Sequence, residues 1–185
     1  YPPAFEQNLQ VWRQLWRVLE RCDVAVIVLD VRHPLLHLPP ALVYHIARTL
    51  RKPLVLLLNK LDTVPPQHAS QWAECLREGI PGVSAVNGFS KEELCAGTFG
   101  SLPVGRTALI EACHKAYGAW AAKRPQAPAK EVPGLHDEAD AGVRKGRIML
   151  GLVGHPNVGK SSLVNALMGS KCVGVKATPG HTKIL

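Results

Sequence analysis

Residues 154–161 read Gly154-His155-Pro156-Asn157-Val158-Gly159-Lys160-Ser161. This is G-x-x-x-x-G-K-S, and the spacing carries chemistry. Glycines at both ends let backbone N–H groups close around a phosphate with no side chain in the way. A helix starting near Lys160 adds the positive end of its dipole. Lys160 is placed to reach β- and γ-phosphates, Ser161 to give its hydroxyl to Mg²⁺, and Ser162 follows in the first helical turn. The context required of such a loop is present: an apolar strand, Arg147 to Val153, precedes it, and a helical stretch, Lys160 to Met168, follows.

Upstream, apolar runs and helical patterns alternate. Val24 to Asp30 and Leu54 to Asn59 are continuous apolar runs of strand length, as in a parallel sheet covered on both faces. Helical spacing marks Glu6 to Cys22, Pro39 to Leu50, Gln67 to Glu78 and Thr107 to Ala122. Pro81 to Ala85 reads as a short strand, and 88–105 as loops. The expected fold class is therefore α/β, a P-loop NTPase with a mainly parallel sheet. The expected domain division is an amphipathic helix over 1–22, one half of the nucleotide domain over 23–122, a Pro- and Ala-rich linker over 123–146, and the phosphate-loop half over 147–185.

The 185 residues are 46% apolar and 19% charged, which excludes disordered and collagen-like chains. No apolar run approaches the roughly 18 residues needed to span a bilayer, so no membrane partner is expected. The cysteines (Cys22, Cys75, Cys95, Cys113, Cys172) are odd in number and contain no C-x-x-C. They read as buried thiols in a reducing compartment. The net charge is +8, and no acidic residue follows Asp140. That bias suits a bound polyanion, nucleotide or RNA, unless carboxylates further along a longer chain balance it. The histidines are scattered, and His155 and His181 read as solvated loop residues.

A phosphate loop does not choose the base. Asn59-Lys60-Leu61-Asp62, at the end of an apolar strand, has the means to do so. A carboxylate at Asp62 accepts from both N1–H and the 2-amino group of guanine, whereas adenine presents neither donor. Asn59 would tie this turn to the phosphate loop or touch the purine, and the Lys60 stem would cover the ring. Asp62 has an alternative use as cap of the helix after Pro65. Ser84-Ala85 fits a short loop whose backbone N–H meets the guanine carbonyl oxygen. Asp30, ending its strand, could instead be a Walker B aspartate of an ATPase.

With these motifs in hand, the chain resembles the TRAFAC GTPases. The order is inverted, since N-K-L-D and S-A come before the phosphate loop. That resembles circularly permuted GTPases of the YlqF/YawG type, whose D-A-R-x-P signature is similar to Asp30-Val31-Arg32-His33-Pro34. Tyr1-Pro-Pro-Ala-Phe5 and Trp12 to Glu20 look like its guanine nucleotide-binding protein-like 1 branch.

The resemblance implies that GTP or GDP is bound with Mg²⁺, and that Thr178-Pro-Gly-His-Thr182 is the first switch, with Thr182 meeting the metal and the γ-phosphate. It implies that Asn157 holds K⁺, as in potassium-activated members. Lys160, Thr182 and Asn157 would then be the catalytic set, and Asn59, Lys60, Asp62, Ser84, Ala85 and the 154–162 loop would hold the nucleotide. The implied function is a slow GTPase switch in ribosome assembly, acting as a monomer on ribosomal RNA or a pre-ribosomal particle, in the cytoplasm or the nucleus and nucleolus. A nucleotide-gated scaffold with negligible turnover is the alternative. The D-x-P-G motif of the family does not occur before Leu185, so the domain is expected to be incomplete at its C-terminal side, with an unpaired edge beside Ile148 to Val153.

Overall fold

The structure is a computed structural model, and it describes residues 8–88, 104–123 and 148–168. In chain order the elements are α1 (Leu9–Arg21), β1 (Val24–Asp30), α2 (Pro40–Tyr44), β2 (Leu54–Asn59), α3 (Pro66–Gly79), β3 (Ser84–Asn87), α4 (Val104–Ala122), β4 (Leu150–Val153) and α5 (Lys160–Met168). The four strands form one sheet in the order β3-β2-β1-β4, and every pairing is parallel.

Alternating side chains of the strands explain why helices cover both faces. Ala25, Ile27, Leu29, Leu54, Leu56 and Leu58 pack with Leu19 of α1, Ile46, and Ala69, Ala73 and Leu76 of α3. Val24, Val26, Val28, Val55 and Leu57 pack with Leu109 and Cys113 of α4 and Leu163 of α5. Each Val, Leu or Ile side chain so withdrawn from water contributes about 1.5–3 kcal/mol. The strands carry no alternation in their sequence because neither face meets solvent.

Local chemistry sets the element ends. Asn8 caps α1, its Oδ1 accepting from the Gln10 N–H at 3.0 Å. At the other end Lys52 Nζ donates to the carbonyls of Leu19 (2.6 Å), Glu20 (2.7 Å) and Cys22 (2.7 Å), so a cation from the β2 approach closes the helix's negative terminus. Prolines open α2 and α3, where no N–H is needed.

The single helix expected from Pro39 to Leu50 is split: α2 gives way to a widened turn over His45–Thr49, closed by Leu50 N–H to His45 O at 2.9 Å. The third strand lies later than Pro81 to Ala85, at Ser84–Asn87, and α4 begins at Val104, ahead of Thr107. β4 has one flank filled, because it pairs with β1 from Val24↔Leu150 to Ile27↔Val153. No strand covers its other flank among the described residues. Cys22 and Cys113 are buried, and burial pushes the Cys113 thiol up to about 12, but Cys75 is exposed, contrary to the expectation for all five. The 123–146 linker, apart from Lys123, and residues 169–185 with Thr182, His181 and Cys172 lie outside the described residues.

Candidate nucleotide site

Parallel strands all end on one side, and ligands of open α/β sheets bind there. β1 and β2 end in register, Asp30 opposite Asn59. β4 ends at Val153 and runs straight into the phosphate loop. Two chain segments about a hundred residues apart therefore reach the same edge. They are joined by a hydrogen bond: Asn59 Nδ2 donates to Val158 O at 2.8 Å. Asn59 is buried, and its Oδ1 has no partner among the described residues. The tie to the phosphate loop expected of Asn59 is present.

The loop's glycines answer a steric demand. A Cβ on Gly154 (φ +150°) would sit 2.5 Å from Val28 O, and one on Gly159 (φ +101°) 2.2 Å from Asn59 Nδ2. Asn157 also takes a left-handed backbone, φ 61°, which asparagine tolerates better than most residues. His155, Pro156 and Asn157 are exposed, Val158 is buried, and Ser161 and Ser162 are half-buried in the first turn of α5. First-turn N–H groups have no partner within their helix, which fits an anion placed ahead of them. Lys160 Nζ bends back to the carbonyls of Gly154 (2.8 Å) and His155 (2.6 Å) across that opening. Burial lowers its pKa from the ordinary lysine range to about 8. Small residues where a Cβ cannot fit, a helix N-terminus and a desolvated cation together suit a polyphosphate.

The 59–62 turn is equally specific in shape. Lys60 adopts a left-handed backbone, φ 63°. The chain then forms a 3-10 turn over Leu61–Thr63, held by the Thr63 hydroxyl on Lys60 O at 2.6 Å. Asp62 is exposed on that turn. It does not cap α3: the capping position is Pro65, with no side-chain bond. The capping alternative therefore falls.

Lys60 Nζ pairs with Asp30 Oδ2 at 2.9 Å, and Arg32 grips the same carboxylate with Nε at 2.9 Å and Nη2 at 2.6 Å. Burial would raise the Asp30 carboxyl, but the hydrogen bonds from Arg32 and Lys60 outweigh it and hold it well below the usual carboxylate range. With two cations already on it, Asp30 does not present itself as a Walker B aspartate.

Ser84 and Ala85 are placed differently from expectation. They lie in β3 rather than in a loop, with Ser84 opposite Val55 and Ala85 opposite Leu56. At about 3.3 Å per residue that puts Ser84 some 10 Å short of Asn87, the residue at the strand's C-terminal end. Asn87 is opposite Leu58, and Gly88 N–H donates to Leu58 O at 2.7 Å. A cavity of about 310 Å³ opens here, lined in part by Leu61, Asn87 and Gly88. Asn87 Oδ1 is buried without a partner among the described residues.

His155 is an exposed loop residue, as expected, with one neighbour that the sequence did not announce. Its ring meets His37 edge to face, with centroids 5.4 Å apart, and burial, then His37 and Lys160, lower its pKa. Among the described residues no group of three His, Cys, Asp or Glu side chains could hold a metal ion, and no helix is long and apolar enough to cross a membrane.

Comparison with known proteins agrees with this geometry. A family profile described as 50S ribosome-binding GTPase matches residues 149–185. Guanine nucleotide-binding protein-like 1 of Mus musculus is 32% identical over 97% of this chain and 37% of its own length. The human protein of that name is 31% identical over the same shares. GTPase LSG1-2 of Arabidopsis thaliana is 35% identical over 97% of this chain and 33% of its own length. The chain thus spans about a third of the length of these relatives. Similarity over nearly the whole chain, and a phosphate loop that stands on an all-parallel sheet and is hydrogen-bonded to the 59–62 turn, together show that the chain is a P-loop GTPase domain.

Proposed function

We propose that this chain binds GTP and GDP with Mg²⁺ as the nucleotide-binding part of a slow GTPase switch. The observation that carries the reading is the Asn59–Val158 hydrogen bond, which sets the base-reading turn against the phosphate loop. One ligand can then be gripped at both ends. In this reading Asp62 accepts from N1–H and the 2-amino group of guanine, and Lys60 lines the turn beside the ring. Asn87 and Gly88, at the end of β3, take the part first given to Ser84 and Ala85. Residues 154–162 hold the phosphates, with Lys160 at the β- and γ-positions.

Ser161 and Thr182 would hold Mg²⁺, and Asn157 K⁺; the chemistry these cations supply is neutralisation of charge on the transferring phosphoryl group. The protein's own contribution to hydrolysis is positioning and fixed electrostatics. The order of motifs, base-reading turn before phosphate loop, fits a circularly permuted domain whose halves are 23–122 and 147–185, joined by the 123–146 linker. The matched family's description, 50S ribosome-binding GTPase, supports a ribosomal partner, RNA or a pre-ribosomal particle; the reading is completed by a monomer working in the cytoplasm or the nucleus and nucleolus.

The test is binding of fluorescent GDP and ADP, followed by phosphate release from GTP in K⁺ and in Na⁺. GDP preference with K⁺-stimulated release is the expected result. Preference without release marks a nucleotide-gated scaffold, and equal affinity for the two nucleotides removes the reading.

Lys160 adds a pH signature. Its free pKa of about 8 must rise when a polyphosphate sits against it. Below pH 8 the lysine is already charged, so GDP affinity is flat with respect to this group. Above pH 8 binding must take up a proton, and the association constant falls, approaching about tenfold per pH unit. Titrations between pH 7.5 and 9 in wild type and in Lys160→Arg check this. The arginine variant stays charged and loses the slope, whatever its affinity.

A further inference from the structure

Asp30 is the only carboxylate buried among the described residues, and the reading above gives it no contact with nucleotide. Its surroundings are nonetheless specific. It ends β1 opposite Asn59, and the Val31 N–H donates to Asn59 O at 3.0 Å, so the two strand ends are stitched together where the base-reading turn leaves the sheet. The next residue, Lys60, takes a left-handed backbone and sends its ammonium back across the sheet edge to Asp30 Oδ2. Arg32 completes the cluster, its own N–H on Asp30 Oδ1 at 3.1 Å and its guanidinium bidentate. The Arg32 guanidinium also feels the attraction of Asp62. A single buried carboxylate thus holds the middle of N-K-L-D through Lys60, and Arg32 holds that carboxylate in place.

We propose that Asp30, itself held by Arg32, is a specificity-positioning residue: by clamping Lys60 it fixes the shape of the 59–62 turn, and so sets the preference for guanine over adenine. This rests on the reading of 59–62 as the base site. Asp30 itself touches no ligand and acts through Lys60, with Arg32 keeping its carboxylate in place. The phosphate loop is held separately, by Asn59 and by α5. Loss of the clamp should therefore weaken what depends on the base and spare what depends on phosphates.

The experiment compares GDP and ADP affinities in the full chain for wild type, Asp30→Asn, Lys60→Met and the double variant, with thermal melting as a fold check. Asp30→Asn keeps the shape and removes the charge. GDP affinity is expected to fall about tenfold, as for loss of one charge-assisted bond, while ADP affinity moves less than about twofold. In the Lys60→Met background, Asp30→Asn should change the GDP:ADP ratio by less than about twofold, because the residue it acts through is gone. A merely structural role would lower both affinities together and would add in the double variant.

A wild-type ratio well above one that is unchanged in Asp30→Asn overturns the clamp and leaves the base site standing. A wild-type ratio near one overturns the base site, and the clamp with it. Should Asp30→Asn lose cooperative unfolding, Arg32→Gln carries the test, since half of that side chain is exposed. The ratio should then fall about threefold, as for a weaker charge contact, and an unchanged ratio overturns the proposal.

Discussion

Asp62→Asn is expected to weaken GDP binding about 100- to 1,000-fold and to turn the preference toward xanthosine diphosphate. Two bonds to a charged acceptor are at stake, each worth about 1.5–3 kcal/mol. An asparagine offers one acceptor and one donor. Guanine presents two donors at that edge, so one amide group would face a donor of its own kind. Xanthine presents N1–H and a carbonyl oxygen, which the amide matches.

Stability should not move beyond about 0.5 kcal/mol, because Asp62 is exposed and caps nothing. That separation makes the variant informative: affinity changes by orders of magnitude in a protein that melts where wild type melts. Competition of unlabelled GDP, XDP and ADP against one fluorescent nucleotide measures it. A GDP:XDP ratio that stays within threefold of wild type would remove Asp62 from the base site.

The site was legible in the sequence to the extent that chemistry fixes spacing. Gly154, Gly159 and Lys160 stand where a phosphate loop needs them, and the structure supplies the reason the glycines cannot be replaced. The continuous apolar runs of β1 and β2 announced a sheet buried on both faces, and both faces are covered.

Register was not legible. Val83-Ser-Ala-Val-Asn87 carries no pattern that says which residue ends the strand. Pairing with β2 decides it, from Val55↔Ser84 to Leu58↔Asn87. A reading by motif places the base contact at Ser84 and Ala85, three and two residues short of the strand end. Asp30 was equally opaque. An acid after an apolar run suits a metal, a cap or an ion pair alike, and only Arg32 and Lys60 converging on it show the last. The His37–His155 contact joins segments 118 residues apart, and no local pattern reports such a pair.

The largest combined loss of stability and binding is expected from Gly159→Ala, because that residue lies against Asn59 where the two segments meet. A methyl group there would lie 2.2 Å from Asn59 Nδ2. Asn59 is a side chain and could swing away, but only by giving up Val158 O and leaving buried polar atoms unpaired. That costs about 1–3 kcal/mol. The left-handed backbone at φ +101° adds about 1–2 kcal/mol for any residue with a Cβ.

The sum, about 2–5 kcal/mol, exceeds what either cause gives alone, and denaturant melts should show it. Nucleotide affinity should fall by more than about 100-fold, because the phosphate loop and the base-reading turn move together. Gly118→Ala is the matched control. It makes the same chemical change on α4 at an exposed position with nothing within 4 Å of the new methyl, so it should stabilise by about 0.5–1 kcal/mol and leave binding alone. Asn59→Ala separates the remaining causes. It breaks the junction without backbone strain, so it should reproduce most of the binding loss and only part of the instability. Binding by Gly159→Ala within threefold of wild type would show that the close approach of Gly159 and Asn59 is not what aligns phosphate and base.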